Sequence, residues 1–401
     1  MRRGGALLLG AGVTASALAF GSRPLGVVGV GLLLAASLAR IWAGLARSGV
    51  SVSYSAQPAP AVEGDRVRLR IDALRASAVP VGSMVASGAL GRLGELECRL
   101  RVRGRRAVGE VFLGRLPRGR FALSDARIVL GDHLGLESVS LPIGGGGFAI
   151  VVYPRLVEVE TLFSEAGRHG AHGRQLLLRR PAGFDLHSVR EYTQGESLRR
   201  VHWPTTARTG QLMVKELEDS PRDTISVLLD CDPAGQVGEP PDSSFDAAVR
   251  AAGSVLRHYA TRARKATLLT TGHAGVVQPV TSLEGDFRAA LGHLAAAEAD
   301  ALFGLAPWLR NEQARGSRSG EVVVVTANLD PAALQALLAM SAHRLVSVVW
   351  VDSASYAGKP ARTSTAPLRL AAVGIPVAVV RQGDDLASAL DFSAPAELAR
   401  A

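Results

Sequence analysis

Cysteine is nearly missing from this 401-residue chain: only Cys98 and Cys231 occur. Such scarcity excludes a disulfide framework and a thiolate-built zinc site, and it fits a reducing compartment. Lysine is almost as rare, with Lys215, Lys265 and Lys359 as its three positions among 45 basic residues. Together with 44 glycines and abundant alanine, that bias looks like GC-rich codon usage. The pI of about 10.3 is therefore no direct sign of nucleic-acid binding. Aromatic residues are 5% of the chain and none interrupts the arginine run from Arg99 to Arg106, so stacking platforms for bases are lacking. Charged residues at 20% against 47% hydrophobic exclude a mainly disordered chain, and the length allows two or three domains.

The first 50 residues contain five arginines and no acid, residues 51–150 hold 14 basic against nine acidic, and the remainder 26 against 27. The positive charge thus belongs to the first 150 residues. Gly4 to Ser22 is an uncharged apolar stretch, and a second runs from Leu25 to Ala39 and resumes at Ile41 after Arg40. Each is near the length of one bilayer core as a helix. Arg2 and Arg3 precede the first, Arg40 and Arg47 follow the second, and only Arg23 lies between. Basic residues collect on the cytoplasmic side, so the reading is a two-span transmembrane hairpin over residues 1–47, in the cytoplasmic (inner) membrane, with the soluble domains cytoplasmic. A cleaved signal peptide ending at Ala17-Leu18-Ala19 is the alternative.

From 48 to 153 the text alternates polar and apolar residues in short segments: Ser51–Tyr54, Arg66–Ile71, Glu97–Val102 and Ala126–Leu130. Period-two alternation predicts half-buried antiparallel strands, hence a β-sandwich-like domain, with Arg99, Arg101 and Arg103 on one solvated face or turned to anionic lipid. Gly144–Gly147 precedes the strand-like Phe148–Tyr153 and not a helix, which argues against a phosphate loop. From 224 to 401, near-continuous apolar strands (Thr224–Asp230, Ala266–Thr271, Glu321–Thr326, Leu345–Val351, Ile375–Val380) alternate with helices (Ser243–Arg264, Glu284–Ala299, and one opened by Asp330-Pro331). That alternation predicts an α/β domain with a mostly parallel sheet and helices on both faces.

Between these domains, within residues 154–223, the segment 168–208 carries eight arginines, three acids and four of the nine histidines. It reads as a scaffold ordered by arginine–carboxylate pairs, such as Arg190 or Arg199 with Asp185 or Glu196, with Trp203 beneath an arginine plane, or as a docking surface for an acidic partner. Its stretch from Gly183 to Arg208 resembles the signature of the bacterial family known as domain of unknown function fifty-eight: Gly183, Arg190, Tyr192, Gly195, Arg199, Trp203, Ala207 and Arg208 match in register, while Asp185, Leu186, Glu196 and Val201 are mild departures. Arg118–Phe121, Gly131–Leu136 and Val152-Tyr153-Pro154 resemble further passages of that family. The resemblance implies a membrane hairpin, a β domain and a C-terminal von Willebrand factor A-like domain. It also implies partners, namely a MoxR-type AAA+ ATPase and other membrane proteins encoded in the same gene neighbourhood.

In a von Willebrand A-like domain, D-x-S-x-S binds Mg²⁺ where the first strand ends. Here the strand ends Asp230-Cys231-Asp232-Pro233-Ala234, with Asp232 and Ala234 in place of the two serines. Asp230, Asp232 and Thr326, with Asn328 nearby, are thus the candidate ligands of a degenerate metal site. No G-x-S-x-G, P-loop, H-E-x-x-H or Rossmann fingerprint occurs in a fitting context. The expectation is a membrane-anchored interaction module without catalysis, an adaptor of the ATPase in envelope complex assembly or maturation. Two alternatives stand beside it: a metal-dependent hydrolase at Asp230/Asp232, and nucleic-acid or anionic-lipid binding through the basic β domain, of which the nucleic-acid reading is the weaker.

Overall fold

A computed structural model describes residues 5–47, 49–143, 147–164, 186–191, 201–217, 224–314, 319–358 and 365–391. The chain divides into two compact units, Met1–Tyr153 and Pro154–Ala401.

The first unit opens with helices α1 (Gly5–Ala19) and α2 (Arg23–Ala46). They run antiparallel in close contact: Gly10 lies against Leu33, and Gly29 lies so near the Thr14 backbone that a side chain would not fit. The first helix is shorter than the apolar stretch that predicts it, because Gly21 turns the chain at a left-handed φ of 65° and Ser22 donates back to the Ala17 carbonyl. Among the described helices, Arg23–Ala46 alone is long and apolar enough to cross a membrane; α1 is apolar but shorter.

Strands β1 (Val50–Gln57), β2 (Ala61–Val62), β3 (Arg66–Arg75), β4 (Ser83–Leu90), β5 (Glu95–Arg99), β6 (Arg101–Arg103), β7 (Arg106–Arg115), β8 (Gly119–Gly131), β9 (Ser138–Pro142) and β10 (Ala149–Tyr153) follow. They form two sheets, ordered β1-β3-β7-β6 and β2-β10-β8-β4-β5, the second with β9 paired to β8. Alternate residues of both, including Val67, Leu69 and Ile71 from β3 and Met84, Ile128 and Val152 from the other sheet, meet in one core that also takes Ala46 from the end of α2. The predicted single strand Glu97–Val102 is in fact two: β5 pairs with β4, β6 pairs with β7, and the chain changes sheet at Leu100, whose N–H donates to the Met84 carbonyl. Gly109 makes room there, since a side chain on it would meet Leu100 and the Cys98 sulfur. Period-two alternation reports which face a residue takes but not which sheet receives it.

In the second unit, β11 (Leu186–Glu191) pairs antiparallel with β12 (Met213–Leu217), and the short helix α3 (Trp203–Thr209) lies between them in sequence. The main sheet holds β13 (Ile225–Leu229), β14 (Ala266–Thr270), β15 (Val277–Val280), β16 (Glu321–Thr326), β17 (Leu345–Val351) and β18 (Val377–Val380) in the order β15-β14-β13-β16-β17-β18. All neighbours are parallel except β15, an antiparallel edge strand whose Pro279 suits an edge. Continuous runs such as Val322–Val325 are buried on both sides. Ile225, Val227 and Leu229 face a core with helices α4 (Ser244–Thr261) and α5 (Asp286–Ala296), while Leu228, Val322 and Val324 face a second with α6 (Leu305–Ala314), α7 (Pro331–Ser341) and α8 (Ala366–Ala372). A last short helix, α9 (Leu386–Leu390), closes the described chain. Helix starts are chemically marked: Ser243 and Asp246 form a reciprocal capping box on α4, and Asp330 accepts from the Ala333 amide ahead of Pro331. The predicted bounds shift inward at α4, at α5, which replaces Glu284–Ala299, and at β18, which replaces Ile375–Val380.

Gly109→Leu forces a side chain into the crossover between the sheets. It is expected to destabilise by about 1–3 kcal/mol and to lower the melting temperature of the detergent-purified chain, whereas Gly292→Ala, inside α5 with nothing near its side-chain position, does not lower it.

Candidate functional site

Parallel strands deliver their C-terminal ends to one edge of the sheet, where ligand sites of open α/β sheets collect. In the second unit that edge carries Asp230 after β13, Thr271 after β14 and Thr326 closing β16. Asp230 is 3% exposed. The Thr326 hydroxyl donates to its Oδ2 at 2.7 Å; the Thr271 hydroxyl and the Asp232 amide donate to its Oδ1 at 3.1 and 3.3 Å. Asp232 accepts the Ala234 amide at 2.9 Å on one oxygen and the Asn328 side-chain amide at 2.8 Å on the other. All four carboxylate oxygens therefore accept a hydrogen bond, and Asp232 caps the turn Pro233–Gly235. Gly235 permits this turn, because a side chain there would strike Ala327 and the Asn328 backbone.

The structure thus brings Asp230, Asp232, Thr326 and Asn328 together, as their strand-end positions predict. It adds Thr271, which that reading omitted although the same rule selects it: it is the polar residue directly after the neighbouring strand. It also adds Asp300, which accepts the His273 amide at 3.1 Å and sits where a side chain on Gly272 would have to go. Burial pushes the Asp230 carboxyl up from 3.8 to about 6, with the nearby Asp232 charge adding to the rise and the threonine hydroxyls opposing it. Burial likewise pushes the Cys231 thiol up to about 12, so it stays protonated and packs as a small apolar group. For the Mg²⁺ that D-x-S-x-S implies, the donor set does not fit: Ala234 offers no hydroxyl, and the four carboxylate oxygens are engaged by amides and hydroxyls. Among the described residues no group of three or more His, Cys, Asp or Glu side chains is placed to hold a metal ion.

Of the signature residues, Gly183, Asp185, Tyr192, Gly195, Glu196 and Arg199 lie outside the described residues. Arg190 lies on β11 opposite Val214, and Val201 bridges to the same Val214. Trp203 opens α3 and is 64% exposed, with Ala207 and Arg208 exposed on the same helix. The local fold follows from short polar side chains: His202 Nδ1 shares a 2.7 Å hydrogen bond with the Thr205 hydroxyl, the Thr206 hydroxyl accepts the Met213 amide at 3.0 Å, and Gly210 ends the helix at φ 72°. The chain thereby turns from α3 directly into β12.

Near the strand ends, the Ala301 amide donates to the Cys231 carbonyl, and Gly304 approaches Asp232 Oδ2. Leu302 and Phe303, between these two contacts, are largely exposed. Two adjacent large apolar side chains held beside this polar network form a patch of the kind that protein partners cover.

Residues 188–357 match the family described as "Protein of unknown function DUF58". Over 221 residues the chain is 28% identical to "Uncharacterized protein YeaD" of Bacillus subtilis (strain 168), covering 54% of this chain and 52% of the relative. The chain thus spans about half the length of the curated relative it matches. Among solved structures, Cwp6 from Clostridium difficile aligns over 84% of this chain and 46% of its own at 9% identity, with a TM-score of 0.22, too low to carry a likeness of fold.

Because the folded state holds Asp230 with a raised affinity for its proton, this group's contribution to stability is largest below about pH 4 and is lost as pH rises through about 6. Asp230→Asn keeps the Oδ1 acceptor, and its amide donates to Thr326, whose proton turns to the Asn328 carbonyl 2.9 Å away. The variant is expected to lack that pH slope and to gain about 1–3 kcal/mol near neutral pH. Paired denaturation curves across this range measure the difference; parallel curves for parent and variant contradict the assignment.

Proposed function

Taking the chain as a member of the DUF58 family, we propose that it is a membrane-anchored protein-interaction module whose docking surface is the strand-end edge of the second unit. The observation that carries this reading is the pairing of a self-satisfied polar network at Asp230 and Asp232 with the exposed Leu302 and Phe303 at its rim. A network whose acceptors are engaged by its own donors holds the rim in one shape, and the apolar pair supplies area that gains from being covered. The parallel sheet with helices on both faces is the arrangement a von Willebrand A-like domain would have, and in this reading the metal site has been replaced by hydrogen bonds. The partner class is the one the family resemblance implies, a MoxR-type AAA+ ATPase, with the chain acting as its adaptor in envelope complex assembly or maturation.

The anchor is the α1–α2 pair, placed in the cytoplasmic membrane as a hairpin. Arg23 and Arg40 lie 17 residues apart, about 26 Å along a helix, close to the thickness of a hydrocarbon core. The arginine distribution favours the β sheets of the first unit and the whole second unit in the cytoplasm.

Full-length chain in detergent is expected to retain the neighbouring ATPase in a pull-down in at least one nucleotide state, and Leu302→Asp with Phe303→Asp is expected to reduce the retained fraction at least tenfold, as loss of an interface anchor does. No retention in any nucleotide state contradicts the adaptor reading; retention unchanged by the double substitution contradicts the docking surface. A topology reporter fused after Ala401 is expected to be active only in its cytoplasmic form, and activity outside the membrane overturns the orientation.

A further inference from the structure

The last two turns of α2 do not stand clear of the β sheets. Arg40 forms an ion pair with Glu137 at 3.8 Å, and the Trp42 indole N–H donates to the Pro80 carbonyl at 2.6 Å. The segments 76–82 and 132–137 therefore flank the helix at the level of residues 40–42, not beyond its end. Only Arg47, Ser48 and Gly49 separate α2 from β1, and the Ala76 amide donates to the Gly49 carbonyl.

A third segment joins this rim. Arg75, 5% exposed, donates to the Val79 carbonyl at 2.7 Å and to the Gly104 carbonyl at 2.8 Å, and so ties the 76–80 segment to the turn between β6 and β7. Burial lowers its pKa, the cost of using a guanidinium as an internal brace. Gly82 is pressed against the Asp132 carbonyl, where no side chain would fit, and this holds the 132–137 turn beside the same segment. The rim is strongly one-signed: residues 99–109 carry Arg99, Arg101, Arg103, Arg105 and Arg106 and no acid. All five arginines are exposed. At the tip of the 132–137 turn Leu134 is 69% exposed, while Glu137, an acid of that turn, is engaged by Arg40.

If α2 leaves the hydrocarbon near Arg40, six further helical residues lift β1 by about 9 Å, and the rim lies in the headgroup layer. The geometry points to this rim as a docking surface for anionic phospholipid headgroups of the bilayer that α2 enters, with Arg103, Arg105 and Arg106 meeting the phosphates and Leu134 seated among them. The inference rests on α2 being a membrane span, as proposed above. Arginine suits the role, since its planar fork pairs with two phosphate oxygens at once, and arginines near an anionic leaflet are each worth about a fivefold gain in partition. The exposed apolar tip enters the interface as such side chains do on peripheral proteins. In this position headgroup contacts add to the hold that α2 already has on the β unit.

The experiment uses full-length chain in nanodiscs of phosphatidylcholine alone or mixed with phosphatidylglycerol. Both native cysteines are buried, so Leu134→Cys, Ser55→Cys and Val30→Cys each give one reactive site for a fluorophore, quenched by headgroup-level or deep-chain spin-labelled lipid. Expected is strong headgroup-level quenching at 134 and little at 55, with the quenching at 134 stronger in anionic discs and this excess abolished by Arg103→Gln/Arg105→Gln/Arg106→Gln. Deep-chain quenching at 30 with none at 134 in either lipid overturns the rim while leaving the span intact. Absence of quenching at 30 overturns the span, and the rim with it. Equal quenching at 134 in both lipids, unaffected by the triple substitution, overturns the anionic headgroup as ligand.

Discussion

The shortness of the connection between α2 and β1 is the constraint on which the first unit depends. Three residues span about 10 Å at most, and the helix already lends Ala46 to the β core and Trp42 to the Pro80 carbonyl. A helix and a sheet joined in this way move as one body. In the proposed hairpin, the position the bilayer imposes on α2 is inherited by the two sheets. The charge pattern then has a physical reason: acids are missing from residues 1–50 and 99–109, the parts of the unit closest to the lipid in this account.

The second unit obeys a different rule. Parallel strands bring their ends to one edge, and there the chain places Asp230 in a buried position that raises its pKa to about 6. Three donors converge on that carboxylate from three strand ends, and Asp232 is fixed by a fourth strand-end contact through Asn328. With Asp232 and Ala234 following it, Asp230 belongs to a network in which the carboxylates brace the surrounding turns. In the proposed reading, this braced edge next to exposed Leu302 and Phe303 is where another protein docks.

Much of this is legible in the sequence. Val-rich runs such as Glu321–Thr326 and Leu345–Val351 emerge with their predicted bounds because near-continuous β-branched residues mark a strand buried on both faces. Asp330-Pro331 marks a helix start by its own covalent chemistry. The crossover at Leu100 was not legible, since it depends on the empty space above Gly109, a residue of another strand. Edge strand β15 and helix α6 were missed for a related reason: Pro279 disguises the one, and Pro307 with Asn311 and Gln313 weakens the apolar period of the other. At the site, the meeting of Asp230 with Thr326 followed from strand ends alone. The contribution of Asp300 did not, because it comes from a loop whose path no local pattern fixes.

Both accounts share one premise, that α1 and α2 remain part of the chain and hold it in the bilayer. Alkaline carbonate extraction of membranes from producing cells, followed by N-terminal sequencing of the chain, tests it most directly. The account predicts a chain that stays in the membrane pellet and still carries residues 1–47. A chain released into the supernatant, or one that begins just after Ala19, contradicts it.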